Sequence, residues 1–269
     1  MIIDVHTHCF PNELAPRAIE KLMAHMPGTR CHTDGTQSGL LRSMHRAGID
    51  YSITLPVATR PDQVHTINSH ALAHNTPPCI PFGALFPGAP DAEEQIQRLV
   101  QGGIRGVKLH PEYQDFFVDD PSLAPFYEVL EKSGLIVVFH AGWDPGPFTR
   151  DHATPQALRT VADSYPGLRI IAAHLGGYLM ADEVVRHLAG GNLWYDTSAQ
   201  IEQLNGSELA RMVRVLGVER VLFGSDTPWF DQSRSLALLR DSDLDEKEIE
   251  CILWRNGAAL LGEELFAPG

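Results

Sequence analysis

Two histidines one residue apart, His6 and His8, close the first apolar run of the chain, Ile2-Ile3-Asp4-Val5. Side chains two apart on a strand share a face. Both imidazoles can therefore reach one atom, and a metal ion is the natural candidate. Four later apolar runs also end in groups that bind metals or carry protons. Lys108 and His110 close residues 104–110, His140 closes 135–140, His174 closes 168–174, and Asp226 follows 220–224. Scattered against an apolar core without partners, such groups are costly to bury. Gathered in one place, they can hold a cation and move protons.

The elements that must position these groups follow from the hydrophobic pattern. Apolar β-rich runs begin near residues 2, 50, 79, 104, 135, 169, 192 and 220, and helical spacing fills the intervals. Residues 91–101 form an amphipathic pattern after a cap-like Asp91. Residues 155–164 and 256–261 are also helical in pattern, whereas 26–37 and 113–121 read as loops. Eight strands, each followed by a helix, predict a parallel sheet with right-handed crossovers. Closed on itself, that sheet is a (β/α)8 TIM barrel, here a single domain over residues 1–269. In such a barrel the strand C-termini share one face, so all five groups of polar residues would meet there. An open doubly wound sheet is the alternative, but its Gly-rich phosphate loop after an early strand is absent from the sequence.

The 21 Lys+Arg and 34 Asp+Glu give a net charge of −13, with no basic run, which argues against nucleic acid as a partner. No stretch of about 18 apolar residues exists to span a membrane, and the N-terminus lacks the pattern of a signal peptide. Cys9, Cys31, Cys79 and Cys251 show no metal-binding or redox spacing and suit reduced thiols in a cytoplasmic protein. The expected partner is a small-molecule substrate, with a second copy of the chain in a homodimer left open.

Five motifs, taken in order, carry a resemblance. They are Asp4-Val-His6-Thr-His8, Gly106-Val-Lys108-Leu-His110-Pro111, Phe139-His140-Ala-Gly, Ala173-His174-Leu-Gly-Gly and Gly224-Ser-Asp226-Thr-Pro-Trp. This set resembles the amidohydrolase superfamily. More narrowly it is similar to the amidohydrolase-related metal-dependent barrels, which include the aminocarboxymuconate-semialdehyde-type decarboxylases. The closing Asn256-Gly-Ala-Ala-Leu-Leu extends the likeness to the end of the chain.

The resemblance implies one divalent metal, Zn²⁺ first, with Fe²⁺, Mn²⁺ or Co²⁺ as alternatives. It would be held by His6, His8, His140 and Asp226. His174 would act as the general acid or base beside it, with Asp226 sharing the proton shuttle. Lys108 and His110 are candidates for substrate binding or for a second metal, the latter with a carbamylated Lys108. Arg150, Trp143 and Trp229 follow the relevant strands and are candidates for substrate contact. The expected activity is hydrolysis of a C–O or C–N bond in a lactone, ester or cyclic amide by metal-activated water. Non-oxidative decarboxylation of an unsaturated or aromatic acid is the second reading, and a non-catalytic metal- or ligand-binding barrel the third. Because ligand imidazoles must be neutral, metal is expected to leave below about pH 6. His65, His70 and His74 share a predicted helix and are expected on a solvated face.

Overall fold

The computed structural model describes residues 1–25 and 30–266, so part of the 26–37 loop lies outside the described residues. Nine strands make eight staves: β1 (Ile3–Thr7), β2 (Tyr51–Thr54), β3 (Cys79–Pro81), β4 (Gly83–Ala84), β5 (Gly106–Leu109), β6 (Ile136–Phe139), β7 (Arg169–Ala172), β8 (Trp194–Asp196) and β9 (Val221–Leu222). β3 and β4 are two halves of one stave, interrupted at Phe82. Every pairing is parallel, in the order β1-β2-β3 and then β4 through β9. The ends of that order meet: Val5 N–H donates to Phe223 O (2.9 Å), Asp226 N–H to His6 O (2.8 Å) and His8 N–H to Thr227 O (2.7 Å). These bonds join the first stave to the last and close the barrel.

Two apolar layers sandwich the staves. Inside, Ile3, Val5, Ile53, Phe82, Ile136, Val138, Ile171 and Leu222 pack on Ala258, Leu260 and Leu261 of the helix Asn256–Leu261. Outside, Val107, Leu109, Val137, Phe139, Ile170 and Val221 meet the surrounding helices. Alternation along each stave thus sends Lys108 and His140 inward, above Gly106 and Val138.

β1 needs one further device. Alternation from the inward Val5 would turn His6 outward. Between Asp4 and Thr7, β1 carries one residue more than β2, since Asp4 pairs with Ser52 and Thr7 with Thr54. This bulge resets the alternation. The buried Asp4 pins it: its carboxylate accepts from Ser225 Oγ–H (2.6 Å), Gln232 Nε2–H (2.8 Å), Ser225 N–H (3.0 Å) and His6 N–H (3.2 Å).

The helices start where the sequence can satisfy their first N–H groups. Thr154 caps Pro155–Ser164, Asn205 caps Gly206–Leu216 in a reciprocal box with Glu208, and Asp231 caps Gln232–Arg240. Asp91 departs from expectation. It precedes Ala92–Gln101 without capping it, and its carboxylate instead accepts from Gln95 one turn on. The start of the predicted 113–121 loop is helical, as the short turn Pro111–Gln114. Gln114 earns that turn by donating to Ala58 O (2.9 Å) and Leu85 O (2.7 Å), which ties three loops together at the barrel mouth. No described helix is long and apolar enough to cross a membrane.

Candidate metal centre

His6 is buried at the bulge, and its Nδ1 lies 2.9 Å from Asp196 Oδ2. Asp196 ends β8 and is held ionised: burial alone would raise its pKa, but His6 and Ser198 pull it below the usual carboxylate range. The His6 proton therefore sits on Nδ1, and Nε2 carries a bare lone pair. His8 repeats the arrangement, with Nδ1 2.7 Å from Leu55 O, an atom that can only accept. In the neutral ring its Nε2 is bare too. Asp226 Oδ1 lies 3.1 Å from His8 Nε2 and 3.4 Å from His6 Nε2. Burial would raise the Asp226 carboxyl, yet the hydrogen-bonding His8 and the nearby His6 hold it below its ordinary value.

Two imidazole nitrogens and an ionised carboxylate thus converge on one point. Ligands 2.0–2.2 Å from a shared ion stand roughly 3.4 Å apart at tetrahedral angles. The donor set and its spacing fit a divalent metal.

His140 sits elsewhere. Its Nδ1 is 3.1 Å from His174 Nε2, and its Nε2 is 3.7 Å from Asp144 Oδ2. It groups with His110 and Asp144, while His6, His8 and Asp226 form their own cluster. The fourth expected ligand is therefore not gathered with the other three. His174 lies beside that trio, its ring centroid 5.1 Å from that of His6. Its Nδ1 is 3.1 Å from Ser198 O and 2.9 Å from Ser198 Oγ, and Ser198 Oγ–H in turn donates to Asp196. His6, His174 and Asp196 also lie close enough to hold an ion, but N–H and O–H protons already fill that gap.

Both His174 and Asp226 adopt left-handed backbone, with φ of 60° and 66°. Such conformations cost about 1–3 kcal/mol in a non-glycine residue and collect at functional sites.

Lys108 is 1 % exposed, and its Nζ stands 3.5 Å from His6 Nε2. Burial lowers its pKa to about 8, against the pull of Asp196, Asp226, Glu112 and Asp144 around it. A dication at His6 would repel an ammonium at that distance, so metal and the lysine proton compete. The same burial, with Lys108 next to it, lowers His6 to about 4.

The outer candidates divide. His110 is buried, stacked on His140 with centroids 4.2 Å apart. Trp143 is 43 % exposed at the rim, its ring 6.3 Å from that of Tyr178. Trp229 is half-buried three residues after Asp226, whose carbonyl accepts its N–H at 3.0 Å. Arg150 is exposed and joins none of the ion pairs found among the described residues.

Sequence reasoning passed over Asp196, Ser198, Glu112 and Asp144. Asp196 carried a signal, since it ends an apolar run as His140 does. Glu112 was hidden by its place next to a supposed loop.

A family model described as amidohydrolase matches residues 3–262. The chain belongs to the amidohydrolase family. Solved structures with the same barrel include 5-carboxyvanillate decarboxylase from Sphingomonas paucimobilis, 16 % identical over 97 % of this chain and 98 % of that one, TM-score 0.73. Another is 2,6-dihydroxybenzoate decarboxylase from Rhizobium, 18 % identical over 98 % and 99 %, TM-score 0.74. A third is the dihydroxybenzoic acid decarboxylase from Polaromonas with bound manganese, 17 % identical over 99 % and 98 %, TM-score 0.71. No curated protein sequence matches this chain significantly. At these identities the structures establish the TIM-barrel fold and leave the chemistry to the site.

Proposed function

We propose that this protein is a metal-dependent decarboxylase acting on a small aromatic or unsaturated acid. One observation carries the choice over hydrolysis. His174, the expected base for water, is engaged at both nitrogens: Nδ1 by Ser198 and Nε2 by His140. It has no free lone pair to take a proton from water. The cavity instead holds the buried Lys108, a cation below about pH 8.

His6, His8 and Asp226 hold the metal in this reading. Zn²⁺ and Mn²⁺ both suit two imidazoles and a carboxylate. When bound, the ion supplies Lewis acidity toward an anionic oxygen of the substrate. The substrate carboxylate offsets the repulsion between the ion and the Lys108 ammonium, so Lys108 is charged with the acid bound and serves as the proton source. As the C–C bond to the carboxyl group breaks, CO₂ departs and the electron pair left on carbon takes a proton from Nζ. Solvent then reprotonates the amine. The dihydroxybenzoate and carboxyvanillate decarboxylases that share the barrel support this reading. Hydrolysis of a lactone, ester or cyclic amide remains the second reading, favoured by Asp226, an ionised carboxylate at the mouth that can accept a proton.

The test incubates metal-loaded protein with hydroxylated benzoates and with a panel of lactones, esters and cyclic amides. CO₂ release from an acid, reduced at least 100-fold in kcat by Lys108→Met, is the expected outcome. Ring opening without CO₂ release, unaffected by that substitution, would overturn it.

A further inference from the structure

At the end of the barrel away from the metal ligands, the first residues of three staves border a cavity of about 520 Å³. Arg169 opens β7, Trp194 opens β8 and Arg220 precedes β9, whereas His174, Asp196 and Asp226 end or follow the same staves at the mouth. The helix Asn256–Leu261 supplies another side through Ala259 and Leu260. The walls are tied to the fold around them. Gly167 N–H donates to Glu131 Oε1 at 2.7 Å, Asn192 Nδ2–H to Pro166 O at 3.0 Å, and Asn256 Nδ2–H to Val218 O and Val221 O at 2.7 Å each.

Two guanidiniums line this cavity, and neither meets a carboxylate among the described residues. Arg169 donates from Nη1 to Leu260 O at 3.3 Å and from Nη2 to Gly134 O. It thereby fastens the ends of two helices, but its charge stays unmatched. The Arg220 guanidinium lies with Cζ 4.4 Å from the centre of the Trp194 ring and joins no hydrogen bond or ion pair among the described residues. Elsewhere in this acidic chain, Arg159, Arg214 and Arg255 pair with Asp163, Glu248 and Glu250. Glu219 also reaches the cavity, but it is exposed and pairs with neither arginine.

We propose that this cavity binds a small aromatic acid, its carboxylate on Arg169 and Arg220 and its ring among Trp194, Leu168 and Leu260. A guanidinium offers paired N–H groups in the geometry a carboxylate accepts. The volume falls in the range of small-molecule sites, about 300–1,000 Å³, and holds a one- or two-ring acid. The apolar walls choose between anions: an inorganic oxyanion would use the guanidiniums and leave Trp194, Leu168 and Leu260 without a partner. The electrostatics agree, since burial, with Arg105 nearby, lowers the pKa of Arg169, a cost that a bound anion relieves. The site shares no residue with the mouth and does not depend on which reaction is catalysed there.

The test reads the tryptophans separately by NMR. Metal-loaded protein, isotope-labelled at the indole nitrogens, is titrated with naphthoate, and the Trp194 signal is assigned by its loss in Trp194→Phe. Naphthoate should shift the Trp194 resonance along a saturable curve, a measurement made on the wild type alone. Arg220→Gln, which removes no hydrogen bond from the described fold, should weaken that curve about 10-fold or more, while the Trp143 and Trp229 signals at the mouth behave as in the wild type. Ala259→Phe puts a ring into the cavity from an exposed position and should abolish the response. The cationic naphthylmethylamine should leave Trp194 unmoved. A wild-type Trp194 signal that ignores naphthoate would overturn the site and leave both arginines as structural groups. Equal curves in the wild type and a folded Arg220→Gln would overturn the carboxylate contact, and a response to inorganic phosphate alone would overturn the aromatic acid.

Discussion

What each imidazole presents to the mouth is dictated by what its other nitrogen touches. Asp196 and Leu55 O fix His6 and His8 with Nε2 bare, and their partner is Asp226. His6→Ala or Asp226→Ala is therefore expected to remove the metal of that site together with activity, whereas His174→Ala keeps the metal and loses activity. Elemental analysis beside a turnover assay checks this, and full metal retention by His6→Ala would defeat the ligand assignment. Asp196→Asn leaves every ligand in place but weakens the hold on the His6 proton. Losses of such partners run about 10–100-fold in metal affinity, and an unchanged Kd by calorimetry would contradict the role. Glu112 gives a pH test. Burial raises its pKa from 4.5 to about 7. The folded state thus keeps a proton that the unfolded state has lost, so its cost is absent below pH 4.5 and full above pH 7. In metal-stripped protein, Glu112→Gln should gain on the wild type between pH 4.5 and pH 8, by about 3 kcal/mol at most. Urea unfolding at the two pH values measures the difference, and a pH-independent gap would refute it. Legibility at this scale was uneven. The three histidines and the aspartate of the expected site were visible because each ends a strand. The separation of His140 from the other ligands was not, because it rests on ring orientation and on Asp144, a loop residue with no periodic signal.

The elements were more legible, since burial on two faces writes itself as apolar runs. All eight staves begin close to the predicted positions, and Pro155–Ser164 and Asn256–Leu261 match the predicted bounds. The misses have local causes. Asp91 was read as a cap from its type alone, and the Pro111–Gln114 turn depends on Gln114 reaching carbonyls 29 and 56 residues away. The loop after β6 is fastened to the loop after β7 through Gly142 and Tyr178: Tyr178 N–H donates to Ala141 O at 2.9 Å and Trp143 N–H to Tyr178 O at 3.1 Å. Gly142 has φ of +85°, and a Cβ there would lie 2.3 Å from Tyr178 N. Gly142→Ala should cost roughly 2 kcal/mol or more and loosen the segment that carries Asp144. Thermal unfolding with limited proteolysis of that loop checks both parts, and a wild-type melting profile would count against the close approach.

For the whole molecule, the mouth concentrates charge that folding alone does not balance. Lys108 is surrounded by Asp196, Asp226, Glu112 and Asp144 in a chain of net charge −13. An ion that binds the folded barrel and not the unfolded chain adds stability by mass action, about 2.7 kcal/mol at a free concentration 100 times Kd. For a chain of this size that corresponds to roughly 5 °C in melting temperature. Calorimetry with metal and with excess chelator should show the gap, and superimposable melts would speak against any tightly held ion.

The extra residue in β1 makes the ligand pair a matter of counting. With it, an odd-numbered apolar set and an even-numbered histidine set both face the interior, which strict alternation forbids. Removing one residue between Asp4 and Thr7 would restore simple alternation and shift the reading frame of the stave by one. Side-chain identities beyond the deletion would be unchanged, yet the stave would have to choose between its core and its metal. In this barrel, loss of the single residue Val5 would therefore remove the metal-binding edge without replacing either histidine.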